Sequence, residues 1–176
     1  MPALPLALIL LASPAEGGSV QDAQPEYAIK ARFLLQFPEF VAWPPETGLT
    51  DPAKPFVILV LGASPFEGYL DTAAAGRRVK GHPVKVVYSS DLARLEECHM
   101  VFLCGSERDR LREVAARLGS RHVLTVGDSE GFARKGVMIN LAIENNLPRF
   151  EINLSASRFG GLGISAQLLS LARKVY

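Results

Sequence analysis

The chain has 176 residues, 19 Lys and Arg against 18 Asp and Glu, a formal charge of +1, and 48% hydrophobic residues. A chain of this length buries roughly two thirds of its unfolded surface, which fits one ordinary domain with a sizeable core. The near-neutral charge gives no general electrostatic reason to bind nucleic acid, 21% charged residues argue against disorder, and two cysteines exclude a disulfide-dense scaffold or a four-cysteine zinc site.

Residues 1–15 carry no charged side chain, and residues 4–12 form an apolar run. The run is shorter than the about 20 residues that cross a bilayer. It suits the apolar core of a secretory signal, with Ser13 and Ala15 as the small residues before a cleavage at Glu16, although no basic residue precedes it. The expected organisation is a signal peptide over 1–15, a flexible Gly/Ser-bearing linker over 16–25 and one folded domain over 26–176.

Residues 26–39 place Tyr27, Ala31, Leu34 and Pro38 on one helical face and Phe33 and Phe37 on a second apolar strip. Pro38 bends the last turn and Trp43-Pro44-Pro45 stops the helix. Residues 56–61 are a continuous apolar run rich in branched side chains, a strand covered on both faces. Gly62 and Ala63 follow, after which Ser64 can cap a helix, Pro65 fits its first position and Glu67 can close a capping box.

A strand over 84–88, a short helix over 91–97 and a strand over 100–104 come next. Ser106 with Asp109 makes a second capping signature, ahead of Leu111, Val114, Ala115 and Leu118 at helical spacing and Gly119 as the stop. A strand over 123–126 precedes two strand-like runs, 137–144 and 147–154, joined at Asn145-Asn146 as a hairpin. Pro148 places that part of the second run at an edge or near its start. A short helix over 155–159 and a closing helix over 167–175 complete the chain. Strand and helix alternate, so the expected fold class is α/β: a single three-layer domain with a mainly parallel sheet and a C-terminal antiparallel hairpin.

Chemistry-bearing patterns are sparse. The nucleophile elbow, the phosphate and dinucleotide loops and the zinc-protease helix motif are absent, so no catalytic residue, cofactor or metal site is assigned. His82, His99 and His122 each stand beside a strand start, where a structural role is the ordinary reading. Cys98 and Cys104 are candidate redox residues, yet six extended steps between them set their α carbons about 20 Å apart, against the roughly 4.4–6.8 Å of a disulfide. Phe33, Phe37, Phe40 and Trp43 form an aromatic row at roughly helical spacing, either core or a partner-binding surface. Arg32, Arg77, Arg78, Lys80 and Lys85 could border an anionic ligand or an acidic partner patch, with solvated charge as the ordinary reading. The loops after the parallel strands should meet at one rim, which makes Ser64, Ser106 and Asp128 candidate ligand contacts.

Several segments together resemble the YfiR-like (DUF4154) family of bacterial periplasmic proteins. They are KARFLLQFPEFVAWP at 30–44, VLGASPF at 60–66, CHMVFLCGSE at 98–107, LTVGDSEGFA at 124–133, VMINL at 137–141, RFEIN at 149–153 and ISAQLL at 164–169. The resemblance implies a non-enzymatic, homodimeric α/β module in the periplasm. It implies that the chain restrains an inner-membrane diguanylate cyclase through that partner's periplasmic region, lowering cyclic-di-GMP signalling and biofilm formation. Family members can use more than one cysteine pair for redox control, whereas this chain has two cysteines in all. The alternative is a periplasmic small-ligand binding module of another envelope system.

Overall fold

The computed structural model describes residues 25–145 and 147–176. The expected signal peptide and nearly all of the expected linker lie outside the described residues, as does Asn146 of the expected turn. Helix α1 (Glu26–Gln36) tightens into a 3₁₀ turn over Phe37–Phe40, where Pro38 supplies no amide hydrogen. Then come β1 (Val41–Ala42), a 3₁₀ turn over Pro45–Thr47, β2 (Phe56–Leu61), α2 (Tyr69–Ala74), β3 (Arg78–Val79) and β4 (His82–Ser89). A 3₁₀ segment over Leu92–Glu97 leads to β5 (Met100–Leu103), and another over Gly105–Arg110 leads into α3 (Leu111–Leu118). The chain continues through β6 (Leu124–Gly127), a 3₁₀ turn over Ala133–Lys135, β7 (Ile139–Glu144) and β8 (Leu147–Ile152). It finishes with α4 (Leu154–Phe159), β9 (Gly163–Ile164), α5 (Ala166–Leu171) and β10 (Lys174–Val175).

Eight strands form one sheet in the order β10-β8-β7-β6-β5-β2-β4-β3. Strands β4, β2, β5, β6 and β7 run parallel, while β8 returns antiparallel to β7 as a hairpin. Asn145 takes φ +52 in the turn, a left-handed angle that asparagine tolerates. Pro148 pairs with Ile143 near the start of β8, and β10 covers β8 only at Glu151 and Ile152, so the proline faces no outer strand.

Each face of the sheet has its own core, set by the two-residue alternation of strand side chains. Phe56, Ile58 and Val60 of β2 join Met100 and Phe102 of β5 under Ala31, Leu34 and Leu35 of α1 and Leu70 of α2. Leu59, Leu61, Val101 and Leu103 point the other way, against Leu92, Leu95 and the Leu111, Val114 and Leu118 stripe of α3. The three-layer, mainly parallel expectation therefore holds.

Four local expectations are corrected. The first capping box does not form: Ser64 Oγ accepts from the Phe66 amide at 3.3 Å in a turn, Glu67 has φ +47, and α2 starts only after Gly68. Ser106 does not cap either, because its hydroxyl accepts from the Ala63 amide at 3.0 Å across the rim. The strand expected at 123–126 lies at Leu124–Gly127, one residue later. The closing helix stops at Leu171, and Lys174–Val175 instead joins the sheet edge as β10. Leu171 and Val175 are consequently exposed, which their helical spacing did not foretell.

Candidate functional site

The loops that leave β2, β5 and β6 share one rim, as a parallel sheet dictates. Strand order reverses between β2 and β5, the crevice where open α/β sheets commonly take ligands. Here that crevice is filled. A Cβ on Gly62 (φ +99) would lie 2.4 Å from Ser106 Oγ and 2.6 Å from Glu107 Oε1, so only glycine lets the two loops approach this closely. Glu107 is buried and paired with Arg110 at 3.1 Å. Of the three rim residues singled out by sequence, Ser106 bridges two loops, Ser64 is exposed and turned into its own turn, and Asp128 stands one loop further along.

Asp128 follows the last residue of β6 and accepts two hydrogen bonds from α1 on the same oxygen, Oδ2. Tyr27 donates through its hydroxyl at 2.9 Å and Lys30 through Nζ at 2.8 Å. The Lys30 and Asp128 side chains are 4% and 6% exposed, so the charges compensate each other away from water. Glu26 closes the cluster with an ion pair to Lys30, whose Nζ also lies 4.4 Å from the Tyr27 ring centre. Burial and the adjacent Asp128 push the Tyr27 hydroxyl up to about 12. Burial alone would lower the Lys30 ammonium, but the hydrogen bonds to Asp128 and Glu26 outweigh it and leave the value raised. Tyr27, Lys30 and Glu26 were missed in the sequence reading as site residues. Their i, i+3 and i, i+4 spacing was visible, but their meeting with Asp128 about a hundred positions away was not.

Beyond Asp128 a cleft of about 300 Å³ opens over the outer face of the β7–β8 hairpin. Asn140 lines it, 7% exposed, with its Oδ1 fully covered and without a hydrogen-bond partner. An unpartnered buried acceptor costs about 1–3 kcal/mol.

The aromatic row divides by burial. Phe37 is 1% exposed and packs edge-on against Phe150 at 5.4 Å. Phe33, Phe40 and Trp43 are half-buried and rest on the same core; Trp43 lies against Phe56 at 5.5 Å and donates its indole N–H to Pro38 O. The segment is thus anchored from below, and three of the four rings keep an accessible side.

Cys98 and Cys104 are both free and buried, and they belong to the cores on opposite faces of the sheet. Burial pushes both thiols up to about 12, with Glu97 adding to it at Cys98 and Asp128 and Glu107 at Cys104. The three histidines hold backbone. His99 Nδ1 accepts from the Val57 amide at 3.0 Å, His82 Nδ1 meets Lys54 O at 2.9 Å, and His122 Nδ1 meets Gly160 O at 3.0 Å. Among the described residues no three His, Cys, Asp or Glu side chains are arranged to hold a metal ion.

Sheet order, hairpin and two-faced core define a mixed α/β domain built on a mostly parallel sheet. The chain belongs to the DUF4154 family, described as YfiR/HmsC-like, whose model matches residues 27–173. No curated protein matches the chain. Among solved structures it is similar to the ABC domain from Streptococcus pneumoniae in complex with L-Trp, with a TM-score of 0.52 and 12% identity, over 83% of this chain and 62% of that one. It is also similar to a conserved domain protein from Vibrio cholerae, with a TM-score of 0.47 and 13% identity, over 69% of this chain and 55% of that one. The chain spans less than two thirds of either structure, and at this identity the first likeness speaks to fold alone.

Proposed function

We propose that this chain is a periplasmic regulatory protein that binds and represses a membrane-anchored diguanylate cyclase, acting as a homodimer and lowering cyclic-di-GMP signalling and biofilm formation. The observation that carries this reading is the family match across residues 27–173, nearly the whole described domain. No described helix is long and apolar enough to cross a membrane. Repression of this kind needs different affinities for two states of the partner rather than a reacting centre. Phe33, Phe40 and Trp43 are the proposed contact residues, since Phe37, the fourth ring of the row, is buried. Deletion of the gene is expected to raise cyclic-di-GMP, and the purified chain is expected to capture a membrane protein with a periplasmic region and to lower its cyclase activity. Unchanged nucleotide levels together with no such capture would overturn the reading.

A second reading, a periplasmic small-ligand binding module, is favoured by the cleft beside Asp128. Ligand-dependent thermal stabilisation without cyclase binding would select it.

A further inference from the structure

Strand β4 is left half uncovered on its outer side. Its neighbour β3 pairs with it only at His82 and Pro83, and the Val84 amide then donates to Arg77 O at 3.3 Å. From Lys85 to Ser89 no described strand lies beside it. Strand parity decides which backbone groups face outward. Ser89 O accepts from the Gly62 amide on the β2 side, while Val84 donates away from β2, so Lys85, Val87 and Ser89 turn their amides and carbonyls to β2 and Val86 and Tyr88 turn theirs outward. The run 84–89 contains no proline and a single charged residue, Lys85. The far edge of the sheet is blunted by comparison: Pro148 has no amide hydrogen to offer, the Arg173 amide is spent on Phe150 O, and β10 covers the rest of β8.

We propose that a second copy of this chain adds to this edge, β4 against β4 and antiparallel, about a two-fold axis at Val87. In that register Val86 and the Tyr88 of the second copy exchange two N–H to O bonds, the symmetric pair exchanges two more, and every outward donor and acceptor of Val86 and Tyr88 in both copies is used. Val87 faces its own copy and Lys85 faces Ser89, so no like charges oppose each other. Charge selects a second copy as the occupant. The start of β4 is flanked by the exposed Arg77 and Lys85, and its end by the exposed Asp71 and Asp91, Asp71 accepting from the Tyr88 hydroxyl at 2.6 Å. An antiparallel two-fold brings the basic end of each strand to the acidic end of the other, and the two eight-stranded sheets become one. The inference gives the homodimer of the proposed function a location and rests on that part of it; cyclase binding stands or falls separately.

Size-exclusion chromatography with light scattering is expected to show the purified chain as a dimer that dissociates on dilution. Val87→Cys sets two thiols opposite each other in a non-hydrogen-bonded pair, where α carbons stand about 4.5 Å apart, inside the roughly 4.4–6.8 Å that a disulfide spans. Under mild oxidation this variant is expected to run as a linked dimer on a non-reducing gel. The parent, whose two cysteines are buried, and Lys135→Cys, exposed beyond β6, are expected to stay unlinked. Val87→Lys and Val87→Glu are each expected to weaken association about fivefold or more, and mixing the two is expected to restore it, which separates a broken interface from a broken fold. A monomeric parent overturns the proposal and the homodimer with it, while capture of a cyclase is judged on its own. A dimer in which Val87→Cys does not link and the mixed variants do not recover overturns the β4 edge and keeps the homodimer.

Discussion

Lys30 on the first helix donates to Asp128 at the end of β6 at 2.8 Å, and this buried pair fastens the N-terminal helix to the rim of the sheet. Glu26 and Tyr27 complete the arrangement, so the ammonium has two carboxylate partners while Asp128 has one cation. Lys30→Met leaves Asp128 buried with only a phenol to face it, and is expected to lower unfolding stability by about 3–5 kcal/mol. Asp128→Asn is expected to lower it less, because Glu26 stays on Lys30. Urea unfolding of the two variants measures the difference, and equal losses would contradict the unequal partnering.

Stability should have a defined pH window. The Tyr27 hydroxyl and both cysteine thiols sit at about 12 in the folded chain, against ordinary values of 10.0 and 9.0, and Lys30 lies above its ordinary 10.5. Above about pH 9 the unfolded chain releases protons that the folded chain keeps, so stability falls progressively as pH climbs through the folded values. His99 behaves oppositely: burial holds it below 6.5, so its contribution is present above that value and is lost as pH falls through the folded one. Urea midpoints are therefore expected to be highest between about pH 6.5 and 9 and to decline on both sides.

Neither thiol should react in the native state. With both values near 12, about one thiol in ten thousand is ionised at pH 8, and both are buried besides. Alkylation at that pH is expected to label neither Cys98 nor Cys104 until denaturant is added, then both, as read by mass spectrometry. Rapid native labelling of either would revive it as a redox centre.

Gly62→Ala is expected to destabilise the rim by about 2 kcal/mol or more, since the added methyl falls within van der Waals contact of Ser106 and Glu107 at a positive φ. Thermal melting reads the loss. Ser106→Gly, combined with it, removes one of the two colliding side chains and should return part of the stability.

The aromatic row gives a control for any partner assay. Phe37→Ala empties a fully buried site against Phe150 and is expected to cost about 3–5 kcal/mol, so loss of capture there reports loss of fold. Phe40→Ala, at a half-buried ring, is expected to cost less and to separate capture from stability when both are measured on the same preparation.

What could be read from the residues was whatever is local and periodic. The runs at 56–61 and 100–104, the α3 stripe and the 137–154 hairpin all lie close to where the patterns put them. The two-residue strands β1, β3, β9 and β10 were not legible, since pieces that short have no period and exist only through distant partners, such as Val41 with Ile164. Ser64 and Ser106 look like caps in sequence, yet the Ser64 hydroxyl takes the Phe66 amide within its own turn, and close approach at Gly62 brings the Ala63 amide to the Ser106 hydroxyl. Asp128 was singled out at the rim, but its meeting with Tyr27 and Lys30 escaped, because about a hundred positions separate them and each is ordinary in its own segment.

The antiparallel ribbon between Val41–Ala42 and Gly163–Ile164 also bears on synthesis. The aromatic segment near the start of the domain acquires its ribbon partner only when residues close to the last helix have been made, and the Ser165 amide then closes onto Phe40 O. A growing chain must therefore wait until residues 163–165 have been made before this closure can form, and truncation before residue 163 should leave Val41, Phe40 and Trp43 without part of their covering. Such late closure between distant segments slows the final ordering of a protein and leaves its early apolar residues in need of a holder meanwhile.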